Sequence, residues 1–128
     1  MTPDELVQLA AKARKLAYAP YSHYKVGAAI LANDGRVFTG CNVENASFGL
    51  TCCAERTAVF SAVAAGAKKF AAIAIVTSNG GSPCGACRQV LREFGTSTLV
   101  IMSRPKGRPT AALLGDLLPG SFGPEQLR

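Results

Sequence analysis

No stretch of the 128-residue chain approaches the ~18–20 consecutive apolar residues that cross a bilayer, so no membrane partner is expected. The opening residues, Met1-Thr2-Pro3-Asp4-Glu5, carry acids and lack the basic and apolar regions of a signal peptide, which predicts a cytoplasmic address. Repeats, linkers and low-complexity runs are missing too, and the length predicts one domain over residues 1–128. Five cysteines, at 41, 52, 53, 84 and 87, make an odd count. Without a secretory signal, that argues against a disulfide framework and for reduced thiols available to a metal. The formal charge is +6, yet the 14 basic residues are scattered. Their one modest cluster, Arg104, Lys106 and Arg108, lacks the interleaved aromatics of a single-strand stacking platform, so no nucleic-acid partner is expected. What is present, 48% hydrophobic and 17% charged residues, suits a globular domain with its own core.

Thr2-Pro3-Asp4-Glu5 reads as a capping box, and Leu6, Leu9, Ala13, Leu16 and Ala17 recur at helical spacing before Pro20. Val26 to Ala32, the turn Asn33-Asp34-Gly35 and Arg36 to Gly40 predict a β-hairpin. Asn42 to Thr51 is polar and aperiodic, a loop. A helix is expected from Cys53 to Ala65, closed by Gly66, and a strand over the apolar run Phe70 to Thr77, with both faces covered. Cys84 to Phe94 predicts a third helix and Thr98 to Ser103 a fourth strand. Arg104 to Arg108 is too short for a parallel crossover, so a fifth strand would pair antiparallel; a short helix closes before Pro119. These elements predict a mixed sheet between helices.

Two segments carry chemistry: Cys53-Ala54-Glu55 and Pro83-Cys84-Gly85-Ala86-Cys87. Each opens a predicted helix after a loop, and the two helices flank the buried strand Phe70 to Thr77, which suits a ligand site at a topological switch point. Cys84 and Cys87 share one face of a first turn, where the positive helix end favours thiolates. Three thiolates leave one tetrahedral position of a zinc ion for water, as a catalytic site requires. Glu55, two residues beyond Cys53, reaches that position without being a ligand. A carboxylate there takes a proton from the water and passes it to a ring nitrogen and then to a leaving amine. The pattern C-A-E followed by P-C-x-x-C is the Cys₃ form of a zinc deaminase signature.

Plainer readings compete. A lone C-x-x-C serves redox chemistry or half of a structural zinc site, but the first gives Cys53-Ala54-Glu55 no role and the second has no use for Glu55. A Cys₄ site would need Cys41 or Cys52. Cys52 points about 100° away from Cys53 on a helix, and Cys41 and Cys52 are expected to be small buried thiols. His23, the only histidine, sits among Tyr21, Ser22 and Tyr24 without a partner at any readable spacing, and is expected at the surface.

Five stretches together make the chain resemble the small, homotetrameric class of cytidine deaminases over essentially its whole length: AYAPYSHYKVGAA (17–29), GCNVENASFG (40–49), CAERTA (53–58), SPCGACRQVL (82–91) and LLPGSF (117–122). The resemblance implies a three-layer α/β/α sandwich around a five-stranded mixed sheet. It also implies one Zn²⁺ per subunit, and hydrolysis of cytidine and 2′-deoxycytidine to the uridines plus ammonia, in pyrimidine salvage. Position by position, it implies Cys53, Cys84 and Cys87 as zinc ligands and Glu55 as proton shuttle. Asn42 and Glu44 match the pair that grips the ribose 3′-hydroxyl. Tyr24 matches an aromatic beside the nucleoside, and Phe122 an aromatic lent by a neighbouring subunit to cover the base. Backbone groups of Ala54 and of Ser82-Pro83 are to meet the cytosine edge. Arg56 matches a cation that moderates the donation of the zinc sulfurs. The chain departs from the pattern at Tyr24, usually Phe, at Phe48, where Tyr is common, and at Cys52, a variable position.

Rival functions are weaker on the same residues. A blasticidin-type deaminase shares the cysteine motifs but has no need of a ribose-reading Asn42-Val43-Glu44-Asn45. A polynucleotide deaminase needs a groove for flanking nucleotides, which a chain this poor in long loops has little length to build. A non-catalytic zinc module has no use for Glu55.

Overall fold

In the computed structural model, which describes Met1–Arg128, the first helix, α1 (Pro3–Arg14), starts where its capping residues predict. Thr2 Oγ1 accepts from the Glu5 N–H at 3.2 Å, and Pro3 sits where a missing N–H costs nothing. The helix stops at Arg14, and Leu16, which the helical spacing had included, is exposed beyond it. The hairpin follows as β1 (Gly27–Ala32) and β2 (Val37–Cys41), then α2 (Ala54–Ala64), β3 (Phe70–Val76), α3 (Gly85–Arg92), β4 (Leu99–Ser103), β5 (Thr110–Leu113) and the short α4 (Leu114–Leu117). No helix is long and apolar enough to cross a membrane.

The five strands form one sheet in the order β2-β1-β3-β4-β5. Only β3 and β4 are parallel, with α3 as their crossover; the other neighbours, including β4 and β5, are antiparallel. Alternation along the strands divides the core. Ile30, Ile73, Ile75 and Val100 pack with Val59 of α2 and Leu91 of α3 on one face. Ala29, Ala74, Val76 and Ile101 pack with Leu6 and Ala10 of α1 on the other. The architecture is therefore the expected α/β/α sandwich. Each fully buried Leu or Ile contributes about 1.5–3 kcal/mol relative to an exposed one. Ala71 is the one exposed residue of β3, beside the register shift at Leu31 and Ala32.

Two glycines let the helices press onto the sheet. A Cβ on Gly27 would lie 2.0 Å from the Ala10 carbonyl oxygen of α1. One on Gly40 would lie 2.4 Å from the Ala58 nitrogen and 2.6 Å from the Ala54 oxygen of α2. The bare backbone of Gly40 thus sets the height of the first turn of α2, and that turn begins the functional site.

Candidate metal centre

Cys53 and Cys84 are the N-cap residues of α2 and α3, both extended (φ −71°, ψ 156° and φ −66°, ψ 168°). Neither sulfur caps its own helix, so both are free for another partner while sitting at the positive helix ends. Cys87, one turn into α3, is buried. The three sulfurs lie within 4.8 Å of one another, with Cys53 to Cys84 at 4.0 Å and Cys84 to Cys87 at 3.4 Å. A tetrahedron with zinc–sulfur bonds of about 2.3 Å has edges of about 3.8 Å, so the sulfur triangle fits zinc. Cys41 and Cys52 stay outside this cluster and are half-buried rather than buried, a small correction to the sequence reading.

The electrostatics favour a thiolate. Cys53 is lowered to about 5, chiefly by the hydrogen bond it shares with Cys87 and further by Arg56, against the opposing effect of burial. Cys87 is raised, because its proton serves Cys53 and because it is buried. Arg56 Nη2 donates to Cys53 Sγ at 3.4 Å, and its Nε is buried without a partner. The cation expected beside the sulfurs is therefore in contact with one of them.

Glu55 is 5% exposed, in the first turn of α2. Burial raises its carboxyl above the ordinary value, and the nearby Cys53 adds to the rise. With Cys53 and Cys84 it lines a cavity of about 270 Å³, whose wall also includes Tyr24, Asn42 and Glu44. This brings most of the residues singled out in the sequence to one place, near the small end of ligand-pocket volumes. Ala54 is fully buried at the start of α2, where a helix leaves its first N–H groups free as donors. Ser82 is also in the wall. Phe122 is not: it is 58% exposed and outside the cavity. His23 is exposed, as expected, with φ +58°.

Asn42 and Glu44 already hold the chain around them. Asn42 Oδ1 accepts from the Val26 N–H and Nδ2 donates to the Tyr24 carbonyl, both at 2.8 Å. One N–H and one lone pair of this amide remain. Glu44 accepts from the N–H groups of Tyr21 (2.9 Å) and Ser22 (3.1 Å) and from the Ser22 hydroxyl. The Ser22 hydroxyl holds its carboxyl below the usual range, so Glu44 is an acceptor for donor hydroxyls. The additional hydroxyl of Tyr24 donates to Asn79 Oδ1 at 2.7 Å.

Sequence reasoning missed several of these partners. Ser22 and Asn79 are ordinary polar loop residues with no periodic signal. Arg88 donates to the Pro83 carbonyl at 2.8 Å, to Ser82 Oγ at 2.9 Å and to the Leu117 carbonyl at 2.7 Å, tying the cavity wall to α4. Its signal was its place four residues beyond Cys84, on the side of α3 that faces the end of the chain.

Known proteins agree with this geometry. Residues 1–103 match the family model described as the cytidine and deoxycytidylate deaminase zinc-binding region. A cytidine deaminase of Sporosarcina psychrophila is 46% identical over 130 residues, covering 99% of this chain and 96% of its own. One from Mycobacterium tuberculosis H37Rv is 50% identical over 113 residues, covering 87% and 82%. The 1.6 Å crystal structure of cytidine deaminase from Burkholderia pseudomallei superposes with a TM-score of 0.91 at 54% identity, covering 95% of this chain and all of that one.

Proposed function

Because the chain belongs to the cytidine and deoxycytidylate deaminase zinc-binding family, we propose that it hydrolyses cytidine and 2′-deoxycytidine to uridine and 2′-deoxyuridine, releasing ammonia in pyrimidine salvage. One observation carries the reading: three sulfurs converge, and two of them, on Cys53 and Cys84, line a single cavity with the buried Glu55. Cys53, Cys84 and Cys87 would hold the metal, and Arg56 would temper the sulfur of Cys53 by donating to it. Zn²⁺, when bound, supplies the Lewis acidity that lets water act as a nucleophile near neutral pH.

Glu55 does the proton work. Its carboxylate accepts a proton from the attacking water, delivers it to the ring nitrogen beside the amino-bearing carbon, and carries the next proton to the departing amine. Water adds to that carbon, and ammonia leaves from it. Glu44 and the remaining polar valences of Asn42 accept and donate to the sugar hydroxyls, while Tyr24 lies beside the nucleoside. The free N–H groups at the start of α2 and the Ser82-Pro83 backbone meet the base edge.

The working unit in this reading is a cytoplasmic homotetramer with sites shared between subunits. Exposed Phe60 and Val63 on α2 support it, since with Val90 of α3 and Phe94 just beyond it they line an apolar hollow of about 590 Å³. Phe48, exposed in a hollow that shares Ser22, Glu44 and Thr51 with the cavity, adds apolar surface for a second copy.

The test is the ultraviolet absorbance of cytidine, followed with purified protein before and after zinc chelation. Loss of absorbance that stops with the chelator and resumes on adding zinc is the expected result. Unchanged absorbance from zinc-loaded protein would overturn the reading.

A further inference from the structure

Arg92 is the only buried cation of the chain, at 7% exposure. A guanidinium cannot shed its charge, so its burial demands partners. All of them lie in the last residues. Nε donates to Ser121 Oγ at 2.7 Å, and both terminal nitrogens reach the Glu125 carboxylate, which Arg92 holds below its ordinary range. One turn earlier on α3, Gln89 Nε2 donates to the Phe122 carbonyl at 2.9 Å. Gly123 lies flat against the guanidinium: a Cβ there would stand 2.4 Å from Arg92 Cζ. Its N–H donates to Gln126 Oε1 at 2.6 Å.

The backbone from Ser121 to Gln126 is therefore pinned on both sides of Phe122, while the ring itself is 58% exposed. A tail that only sealed the fold would turn its bulkiest apolar side chain inward. This one fixes the main chain with a buried cation and leaves the ring outside. The pinning helix is α3, whose start carries Cys84 and Cys87, so the ring is held in a constant relation to the metal centre.

We propose that Arg92, with Gln89 and Glu125, is a positioning residue for the deamination: it clasps the C-terminal tail so that Phe122 is presented, at a fixed place, to the nucleoside cavity of a second copy. The proposal rests on the reading of Phe122 as a substrate contact between subunits, and the experiment separates the two. Zinc-loaded Arg92→Met, Arg92→Lys, Phe122→Ala and the double variant Arg92→Met/Phe122→Ala are compared with wild type for KM, kcat, zinc content and amide exchange at Gly123. Methionine replaces the buried guanidinium by an apolar chain of similar length, and because Glu125 is half-exposed no buried charge is left unpaired.

Arg92→Met is expected to raise KM and lower kcat/KM about ten- to a hundredfold, the cost of misplacing a contact from outside the chemistry. Zinc stays bound, Gly123 exchanges faster, and Arg92→Lys recovers part of the loss. In the double variant the losses do not add, because Arg92 acts through Phe122. If Phe122→Ala is impaired while Arg92→Met keeps wild-type KM, or if the two losses add fully, the clasp is overturned and the reading of Phe122 stands. If Phe122→Ala itself matches wild type, the reading of Phe122 fails and the clasp with it. Should Arg92→Met not assemble, Glu125→Gln, altered at a half-exposed carboxylate, carries the same cycle.

Discussion

Glu55 and Glu44 are both carboxylates facing one cavity, and their surroundings drive them apart. Glu55 is buried and raised; Glu44 is half-buried, loaded with donors and lowered. One is suited to hold and release a proton, the other to stay charged. Glu55→Gln keeps the shape and removes the proposed shuttle, so zinc and melting temperature should be retained. Its kcat should fall by at least the ~10²–10⁴-fold that positioned proton transfer supplies. Steady-state rates and zinc content on one sample check this, and activity within tenfold of wild type would clear Glu55 of the role. The two residues proposed to meet the sugar, Glu44 and Asn42, divide differently. Glu44→Gln should raise KM for cytidine while leaving any residual turnover of free cytosine alone. Asn42→Ala should do the same and also lower stability, by about 1–3 kcal/mol, since the nearly buried amide holds two backbone groups. Thermal melts beside the two substrate assays distinguish them. Equal losses on nucleoside and base would contradict a sugar-gripping role.

At the scale of elements, the site depends on how closely α2 approaches the sheet. Gly40 receives the first turn of that helix on bare backbone, so Gly40→Ala forces a methyl group into the Ala58 nitrogen and the Ala54 oxygen. Backbone atoms cannot step aside as a flexible side chain would. The expected cost is about 1–3 kcal/mol of stability, with a loss of activity larger than the melting temperature explains, because Cys53 and Glu55 move with the turn. Serine at Gly49, where a Cβ would meet nothing, serves as the control. Wild-type kcat/KM in Gly40→Ala would show that the height of α2 is not critical. This dependence was not legible in the sequence, where Gly40 reads only as the end of a strand. The starts of α1, α2 and α3 were legible, because caps, Pro3 and the cysteine motifs are local signals. The antiparallel placement of β5 followed from the short connection alone. What escaped was long-range: Arg88 and Arg92 look like the exposed charges of an ordinary helix until the tail folds across them.

At the scale of the whole molecule, we propose that a single chain is an incomplete enzyme. Its cavity is bounded by α2, α3 and the loops between the strands, yet Phe122 stands outside it and Phe48 and Phe60 face outward. A chain of this size has little material with which to wall a dry pocket on every side. If a neighbour's Phe122 completes each site, two differently broken chains should repair one another. Phe122→Ala and Glu55→Ala are each expected to be weak or dead as pure assemblies. In mixed assemblies, some cavities take Glu55 from the first chain and Phe122 from the second, and those cavities are wild type in composition. Activity should then recover on co-expression, or when the two are unfolded together and refolded with zinc. Differently tagged subunits, purified through both tags in turn, establish that the assemblies are mixed. Recovery above the average of the two parents is the outcome that sharing demands. Verified mixed assemblies no more active than that average would mean that Phe122 serves its own chain or none.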